Sequence, residues 1–514
     1  MTPFLTAAAG LGDELAAHVL LGGAAIALGI AIALPLAVWA GRSSTVARAA
    51  LGFASLVQTI PALALLALFF PVLLSLRAVF GEGLPTLGFL PALLALALYA
   101  LLPILRNAVT AQAHLDPGVV EAADAMGMTG WQKLRLVEVP LAAPYLMAGI
   151  RTAAVWTIGA ATLSTTVGQP SLGDPIFAGL QTQNWALVLA GCVLAAALAL
   201  SADGLLGLIE RGFAQRNRRL WGGAAAAVLS GVLLAASTQF GGAVGGERRV
   251  VIGAKGFSEQ YILARLIGGR LEAAGFEPVY RDGLGSAVAH SAVTSGQIDV
   301  VVEYTGTIWT NEMKRIDNPE REAMLAQIVR WQRDESGARV LGRLGFENAY
   351  GLAMTRDQAQ AAGLASIADL AVVAPRLTLG GDPEFFERPE WRKVRDAYGL
   401  SFARQRTFAP TFMYDALQSG EADVISGYTS DGRIAADDLV ILADPRRAFP
   451  NYDAILLLSP EAGRNERLVV ALQPLIGRID VEAMRAANYA VDRPDNKLSP
   501  AAAAAMLAAR IGLD

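Results

Sequence analysis

Cysteine and histidine are almost absent from this sequence of 514 residues. It has one cysteine, Cys192, and three histidines, His18, His114 and His290, which lie far apart in the chain. A single cysteine excludes an intramolecular disulfide, and so few scattered ligands cannot make up a zinc cluster. We therefore expect neither a disulfide nor a bound metal ion.

Lysine is also scarce, and none of the five lysines (133, 255, 314, 393 and 497) follows a glycine. A Walker A loop needs the order Gly-Lys-Ser/Thr, because backbone amides and the lysine together hold the phosphates. No nucleophile–histidine pair or metal cluster is present to carry an enzyme's chemistry. We expect no catalytic residues and no cofactor, so that any ATP would be used by a separate subunit.

Charged residues make up 17% of the chain, against about 25% in a typical soluble protein. Before about residue 245 the chain has long uncharged runs rich in Ala, Leu and Gly, whereas after it charged residues recur every few positions. The net charge of −4, with no basic stripe in the second half, argues against nucleic-acid binding. This division predicts a membrane domain over residues 1–240 and a soluble domain over residues 247–514.

Six apolar runs in the first half are long enough to cross a bilayer, which needs about 20 apolar residues per helix. They predict an all-α domain with six membrane-spanning helices. The runs are residues 16–40, 50–76, 87–105, 141–165, 185–209 and 220–240.

Basic residues are distributed unevenly between the loops that connect these runs. Nine lie in the loops after the first, third and fifth runs, whereas the N-terminal tail and the other two loops contain only Arg77. Because cytoplasmic loops carry the excess of Lys and Arg, the odd-numbered loops are predicted to be cytoplasmic and everything after about residue 241 extracytoplasmic. The nine residues are Arg42, Arg48, Arg106, Lys133, Arg135, Arg211, Arg216, Arg218 and Arg219.

Arg151 falls inside the fourth run, where a charge is costly and usually faces protein or a water-filled path. Two interpretations remain for it: packing near the cytoplasmic end of the span, or a place on a path through the membrane. We prefer packing.

The loop between the third and fourth runs contains Glu121, Ala122 and Ala123, then Gly127, and ends in two aliphatic residues that flank Glu138 before Pro140. This spacing resembles the EAA signature of ABC importer permeases, and residues 58–62 and 173–177 resemble osmoprotectant permeases. The resemblance implies that Glu121, Ala122, Ala123 and Gly127 belong to a short cytoplasmic helix that docks on a separate ATPase subunit. It also implies a homodimer in the bacterial inner membrane, because such importers pair two permease units.

The soluble half contains a pseudo-repeat of the form Ser-Gly-x-x-Asp-Val-x-x-x-Tyr-Thr, at residues 295–305 and 419–429. Each copy predicts a helix, a glycine turn and a buried strand that ends at a tyrosine, Tyr304 or Tyr428. Ligands of open α/β sheets bind beyond the carboxyl ends of strands. We therefore expect one such unit in each of two lobes, with both tyrosines facing a shared cleft.

The whole soluble half resembles the binding proteins of glycine betaine and choline ABC systems. The matching segments are residues 253–260, 283–285, 303–307, 348–350, 384–388, 428–432 and 450–453. This resemblance implies an α/β two-lobed periplasmic-binding-protein (type II) fold. Lobe one would cover residues 247–345 and 455–514, and lobe two would cover residues 346–454.

The same resemblance assigns the ligand site. It implies that Tyr304, Tyr350, Tyr428 and Tyr452 form a cage around a quaternary ammonium, and that Lys255, Thr307 and Arg388 hold a carboxylate. The chemistry is consistent, because a trimethylammonium group donates no hydrogen bond and binds well to aromatic faces, each contact contributing about 0.5–2 kcal/mol. By contrast, Trp309 and Phe385 are predicted to be core residues, and His290 a surface residue.

Together these patterns predict a membrane permease fused to the receptor that captures its cargo. Glycine betaine or choline is the expected cargo, with ergothioneine, a trimethylated histidine betaine, or carnitine as the alternative. A membrane-anchored solute sensor is a different class, disfavoured by the complete EAA spacing. An enzyme is the weakest alternative.

Overall fold

A computed structural model describes residues 3–81, 84–181, 184–240, 249–493 and 495–513. The chain divides into two compact units. The first is Met1–Ile176 with Ala186–Gly246, and the second is Phe177–Trp185 with Glu247–Asp514.

The chain up to residue 240 is helical in its described part. Its helices are α1 Pro3–Ala9, α2 Gly12–Ala40, α3 Ser44–Thr59, α4 Ala62–Phe80, α5 Phe89–Ala113, α6 Pro117–Ala125, α7 Gly130–Lys133, α8 Val139–Ala161, α9 Gly173–Gln181, α10 Trp185–Ala214 and α11 Arg218–Phe240, with a π-helical turn at Leu134–Glu138 and a 3₁₀ segment at Thr162–Val167. Among the residues that the structure describes, six helical stretches are long and apolar enough to span a membrane: α2, α4, α5, the stretch containing α8, α10 and α11. The predicted number of spans is confirmed.

The predicted second span, residues 50–76, is wrong as one continuous helix. The structure has two helices there, α3 and α4, separated at Ile60 and Pro61. Proline lacks an N–H and its ring disfavours a helical conformation at the preceding residue. Ile60 is accordingly extended, with φ −77° and ψ 125°, so the membrane-spanning helix begins only at Ala62.

Small residues allow the membrane helices to pack closely around α5. A Cβ added at Gly29 of α2 would lie 3.0 Å from Ala100 Cβ, and one added at Gly149 of α8 would lie 2.8 Å from Pro103 O. Leu105 of α5 is fully buried in the same core. Backbones can approach in this way only where side chains are small, and close packing of this kind stabilises helix association in membranes.

The second unit contains two five-stranded mixed sheets. Its strands are β1 Arg249–Lys255, β2 Glu277–Leu284, β3 Val300–Tyr304, β4 Arg339–Glu347, β5 Tyr350–Thr355, β6 Thr378–Gly381, β7 Arg404–Thr407, β8 Val424–Tyr428, β9 Leu439–Ile441 and β10 Asp453–Leu458. The first sheet has the order β2-β1-β3-β10-β4, and the second has the order β7-β6-β8-β5-β9. This is the expected α/β architecture.

Helices cover these sheets. They are α12 Ser258–Ala273, α13 Ser286–Thr294, α14 Thr305–Thr307, α15 Arg321–Glu335, α16 Arg356–Ala362, α17 Ile367–Val373, α18 Pro383–Glu387, α19 Pro389–Tyr398, α20 Pro410–Gln418, α21 Arg433–Ala436, α22 Glu466–Leu472, α23 Val481–Asp492 and α24 Pro500–Arg510. Short segments of other helix types are Ile308–Glu312 (π) and Ala374–Arg376, Ala462–Arg464 and Gln473–Leu475 (3₁₀).

The pseudo-repeat is a structural unit that occurs once in each sheet. Its glycines, Gly296 and Gly420, have φ of +74° and +76°, the left-handed region that glycine adopts without strain. Its aspartates accept a hydrogen bond from the first part of the neighbouring parallel strand: Val251 N lies 2.7 Å from Asp299 Oδ2, and Thr378 N lies 2.7 Å from an oxygen of Asp423. The repeated residues therefore fix two equivalent strand pairs.

Two aromatic residues lie in the core as predicted, whereas the prediction that His290 lies on the surface is wrong. Trp309 and Phe385 are fully buried, as predicted. His290 is also buried, with its Nε2 2.6 Å from Gln332 Nε2 and its ring stacked on Trp331. Its position on α13 places the ring against α15, a contact between remote segments that the local sequence does not show.

Candidate functional site

Six of the seven predicted ligand residues line one cavity of about 350 Å³ in the second unit. The strand ends place them there. Tyr304 is the last residue of β3, Tyr428 is the last residue of β8, and Tyr452 precedes β10. The other three lining residues of the predicted set are Lys255, Thr307 and Arg388.

Tyr350 is not among the residues that line this cavity. It opens β5 and pairs in antiparallel register with Tyr428. Its ring packs against other aromatic rings, with centroids 4.7 Å from Tyr428, 5.9 Å from Tyr452 and 5.3 Å from Phe385. Tyr350 is thus placed to support the rings of Tyr428 and Tyr452.

The hydroxyl groups of the three lining tyrosines are anchored by carboxylates. Tyr304 donates to Glu259 Oε1 at 2.6 Å, and Tyr452 donates to the buried carboxylate of Glu390. The Tyr428 hydroxyl lies 3.2 Å from Asp382 Oδ2. Burial, together with these negative neighbours, raises the pKa of each of the three phenols well above its ordinary value, so all three remain neutral hydrogen-bond donors.

A glycine allows the ring of Tyr452 to lie close to the backbone that follows β3. A Cβ added at Gly306 would lie 2.7 Å from two carbons of the Tyr452 ring, which no real Cβ contact tolerates. The neighbouring Thr305 fixes the same segment, since its hydroxyl donates to Asn451 O and accepts from Asp453 N, each at 3.0 Å. The absence of a side chain at Gly306 therefore decides where this ring can sit.

Lys255 is almost completely buried at the end of β1. Its Nζ donates to Glu303 Oε2 at 2.8 Å and lies 5.2 Å from the centroid of the Tyr304 ring. A lysine has three N–H donors, so one ion pair leaves donors for a further acceptor.

Arg388 follows α18 and is also buried. Its guanidinium donates to Glu384 and to Tyr452 Oη at 3.3 Å, and its Cζ lies 5.4 Å from the centroid of the Tyr350 ring. Within the described residues Arg388 Nε has no hydrogen-bond partner. Thr307 completes the predicted set at the end of the one-turn helix α14, where it is buried in the cavity wall.

Acidic side chains outnumber basic ones in the cavity wall, by five to three. Burial raises the pKa of Glu259, Asp382 and Asp431, and it raises the pKa of Asp492 to about 7. The acidic residues are Glu259, Asp382, Glu384, Asp431 and Asp492, and the basic ones are Lys255, Arg388 and Arg433.

The residues that hold the tyrosines were missed by the sequence reasoning, although two lay within matched motifs. Glu259 and Asn348 belong to the segments 253–260 and 348–350. Glu259 accepts hydrogen bonds from Asn348 and from Asn488 of α23, each at 3.1 Å. An acidic residue next to apolar helix positions was a usable signal for Glu259, whereas no local pattern singles out Glu390 or Asn488.

The predicted coupling segment forms a separate structure in the first unit. Asp116 caps α6, accepting from Gly118 N at 2.9 Å, and the helix carries Glu121, Ala122 and Ala123. It ends at Ala125, two residues before Gly127, which has φ +72°.

Lys133 of α7 forms an ion pair with Asp124 of α6, with Nζ 2.7 Å from Oδ1. This ion pair connects the two helices of the loop. Ala123 is buried while Glu121 is exposed, so one side of α6 packs on the protein and the other is free. Four apolar side chains of the same loop are exposed: Val119, Met126, Trp131 and Leu136.

Two families match this chain. Residues 248–509 match the substrate binding domain of the ABC-type glycine betaine transport system, and residues 26–215 match the binding-protein-dependent transport system inner membrane component. The chain therefore belongs to the ABC importers, with a permease domain and a substrate-binding domain in one polypeptide.

The relatives of this importer include a chain with the same two-part organisation. The ergothioneine transport permease/ergothioneine binding protein EgtU of Helicobacter pylori (strain G27) is 32% identical over 478 residues, covering 89% of this chain and 82% of the relative. The glycine betaine/carnitine/choline transport system permease protein OpuCB of Bacillus subtilis (strain 168) is 42% identical over 187 residues, covering 36% of this chain and 81% of the relative. A crystal structure of a glycine betaine/carnitine/choline ABC transporter is 27% identical, with TM-score 0.47, and covers 51% of this chain and 99% of that one.

The importer family confirms the expected fold class and location. The chain is a transport subunit of the inner membrane, with six spans in a permease domain and an extracytoplasmic substrate-binding domain after them. The alternatives of a solute sensor and an enzyme are set aside by this membership. An ABC permease works with an ATPase.

Proposed function

We propose that the binding domain of this importer captures a quaternary-ammonium solute and that the permease then moves it into the cell. The observation that supports the proposal most is the convergence of three tyrosines with a lysine and an arginine on one cavity of about 350 Å³. Tyr304, Tyr428 and Tyr452 would hold the ammonium group, with Tyr350 in the predicted cage as a supporting ring. Lys255, Thr307 and Arg388 would hold a carboxylate through charge-assisted hydrogen bonds.

Cation–π attraction gives this arrangement its selectivity for a permanent cation. The ring face carries partial negative charge, and a trimethylammonium group is easily desolvated because it donates no hydrogen bond. Two rings of the predicted cage already face cations of the protein itself: Lys255 Nζ lies over Tyr304 and Arg388 Cζ lies over Tyr350.

The proposed cargo is a betaine such as glycine betaine, or choline. Ergothioneine or carnitine is the alternative. The name of the Helicobacter pylori relative favours ergothioneine, and that of the Bacillus subtilis permease includes carnitine. The cavity volume of about 350 Å³ lies in the range of pockets for drug-sized ligands, about 300–1,000 Å³, and so accommodates betaines larger than glycine betaine.

Two lobes, residues 247–345 with 455–514 and residues 346–454, would close on the cargo. The supporting observation is that the cavity wall draws on both sheets, with Tyr304 at the end of β3 in the first and Tyr428 at the end of β8 in the second. Hinged closure around a ligand is a common motion of two-lobed binding proteins.

A separate ATPase subunit would dock on the coupling segment. The exposed Glu121 and the exposed apolar side chains of Met126 and Trp131, which lie in the same loop, support this docking site. Aromatic and apolar residues anchor protein interfaces when they become buried. Two copies of the chain would form the translocation pathway as a homodimer.

Equilibrium binding of the full chain in lipid nanodiscs to glycine betaine, dimethylglycine and glycine tests the proposal. Each methyl group that is replaced by hydrogen gives the ammonium a hydrogen-bond donor, which is costly to desolvate in an aromatic cage. We expect affinity to fall with each lost methyl group, by about five- to thirtyfold overall. Equal affinity for glycine and its trimethyl form would contradict a cage.

A further inference from the structure

An arginine and two carboxylates form a hydrogen-bonded triad between the membrane-spanning helices α8 and α10. Arg151 of α8 binds Asp203 of α10 through two parallel contacts, Nε to Oδ1 and Nη2 to Oδ2, each 3.0 Å. Its third nitrogen, Nη1, donates to Glu210 Oε2 at 2.6 Å. We call these three residues the membrane triad.

A glycine of α10 leaves room for the guanidinium of Arg151. Gly207 lies between Asp203 and Glu210 on the same face of the helix. A Cβ added there would lie 3.3 Å from Arg151 Cζ, so the planar guanidinium rests on bare backbone between the two carboxylates. The triad is therefore a built arrangement with fixed geometry.

Arg151 and Asp203 lie inside apolar membrane-spanning runs, and Glu210 lies at the cytoplasmic end of one of them. Arg151 comes twelve residues after Val139, where α8 begins, and Asp203 comes eleven residues before Ala214, where α10 ends. At 1.5 Å per residue both lie roughly 16–18 Å from the cytoplasmic ends of their helices. Because α10 extends beyond the apolar run 185–209, Asp203 lies about 9 Å inside the cytoplasmic end of that run, and Glu210 directly follows it.

The side chains of the triad are open to their surroundings. Arg151, Asp203 and Glu210 retain 33%, 36% and 26% of their side-chain exposure. Charged groups within a membrane span almost always face protein or a water-filled cavity, because contact with lipid is costly. One guanidinium and two carboxylates sum to a net charge of −1.

We propose that the membrane triad lines the water-filled path through the permease and provides a negatively charged contact for the cationic cargo. The cargo part of this inference rests on the proposed function. The water-filled path does not, since it is argued from the charge, the position and the exposure of the triad. This assigns Arg151 to the path rather than to packing at the cytoplasmic end.

Water access can be measured by cysteine labelling, because the chain has one cysteine, the exposed Cys192. In a Cys192→Ser background, Leu206→Cys places a thiol between Asp203 and Glu210 on the same face of α10. Leu208→Cys is the matched control: it is the same substitution at an exposed leucine, but it lies about 140° around the helix from Asp203. Ala199→Cys, one turn before Asp203, is a second position on the triad face.

Cells that express the whole importer would be treated with a charged maleimide, which reacts with thiolates in water. The path predicts at least tenfold faster labelling at Leu206→Cys and Ala199→Cys than at Leu208→Cys, in variants that retain uptake. Equal labelling at all three positions would overturn it. Failure to label the cysteines on the triad face would also overturn it. A disulfide between two copies of the chain would indicate a dry dimer interface, and cysteines that stay unreacted would indicate packing within the protein.

Uptake measurements test the contact with cargo. Glu210→Gln removes the net negative charge while leaving the paired contacts of Arg151 with Asp203. We expect uptake of a quaternary-ammonium solute to fall about fivefold while its binding to the receptor domain is unchanged. Unchanged uptake would overturn the cargo contact. If labelling marks a path but no trimethylammonium solute binds, the proposed cargo fails and the path stands.

Discussion

Lys255 and Glu303 form an ion pair in which both side chains are almost completely removed from solvent, with exposures of 4% and 0%. Nζ lies 2.8 Å from Oε2, and Glu303 Oε1 has no hydrogen-bond partner within the described residues. The lysine proposed to hold the ligand carboxylate thus also neutralises a buried carboxylate of the protein. Its two roles can be separated.

Lys255→Met should destabilise the binding domain by about 3 kcal/mol, because it leaves a buried carboxylate without its partner. The double variant Lys255→Met/Glu303→Gln should recover most of that loss. Urea unfolding of residues 247–514, which we expect to be soluble alone, can be followed by the fluorescence of the buried Trp309 and Trp391. Equal destabilisation in the single and double variants would show that the ion pair is not the cause.

Arg388→Ala should weaken binding of glycine betaine much more than binding of choline, since choline has no carboxylate to lose. We expect the affinity for glycine betaine to fall about tenfold more than the affinity for choline, as for the loss of a charge-assisted hydrogen bond. Isothermal titration of the full chain with both ligands measures it. Equal losses would mean that Arg388 acts only by supporting Tyr452 and Tyr350.

The tyrosines should divide into lining and supporting residues. Tyr304→Ala, Tyr428→Ala or Tyr452→Ala should each weaken binding by about 1–2 kcal/mol, the value of a cation–π contact. Tyr→Phe should cost less, because the ring face is retained. Tyr350→Phe should weaken binding of a trimethylammonium ligand much less than Tyr428→Ala does, because Tyr350 does not line the cavity and its ring still supports that of Tyr428. A Tyr350→Phe variant as weak as Tyr428→Ala would contradict this division.

Gly127→Ala should reduce uptake about fivefold and leave ligand binding intact. Gly127 has φ +72° with open space around it, so a side chain costs about 1 kcal/mol of backbone strain and no steric clash. Gly130→Ala is the control, since it makes the same change in the same loop, again in open space but without a positive φ. Uptake assays and ligand titrations on both variants are decisive. Loss of binding in Gly127→Ala, or equal uptake by the two variants, would refute the coupling assignment.

The stability of the binding domain should depend on pH through Asp492. Burial, followed by the nearby Asp431, raises the pKa of its carboxyl to about 7, whereas in the unfolded chain it is about 3.9. Between these values the folded state holds a proton that the unfolded state lacks, so the free energy of unfolding falls as pH rises. Asp492→Asn should match the original chain near pH 4 and be more stable than it at pH 8. If the free energies of unfolding of the two proteins differ by the same amount at every pH from 4 to 8, the raised pKa of Asp492 is contradicted.

Features that depend on neighbouring residues in the chain were predictable from the sequence. The number of spans follows from apolar runs long enough for a bilayer. The end of α6 before Gly127 and the matching strands that end at Tyr304 and Tyr428 follow from glycine placement and a short repeated pattern. Each of these features is set by backbone preferences and hydrophobic periodicity, which act over a few residues.

Features that depend on contacts between remote segments were decided by the tertiary structure. Glu259 is held by Asn348 and Asn488, which are 89 and 229 residues away in sequence. Tyr350 is not among the cavity-lining residues, because the register of β5 against β8 packs its ring against that of Tyr428. Burial of a charge or a ring depends on which distant side chains surround it, because desolvation and packing are set in three dimensions.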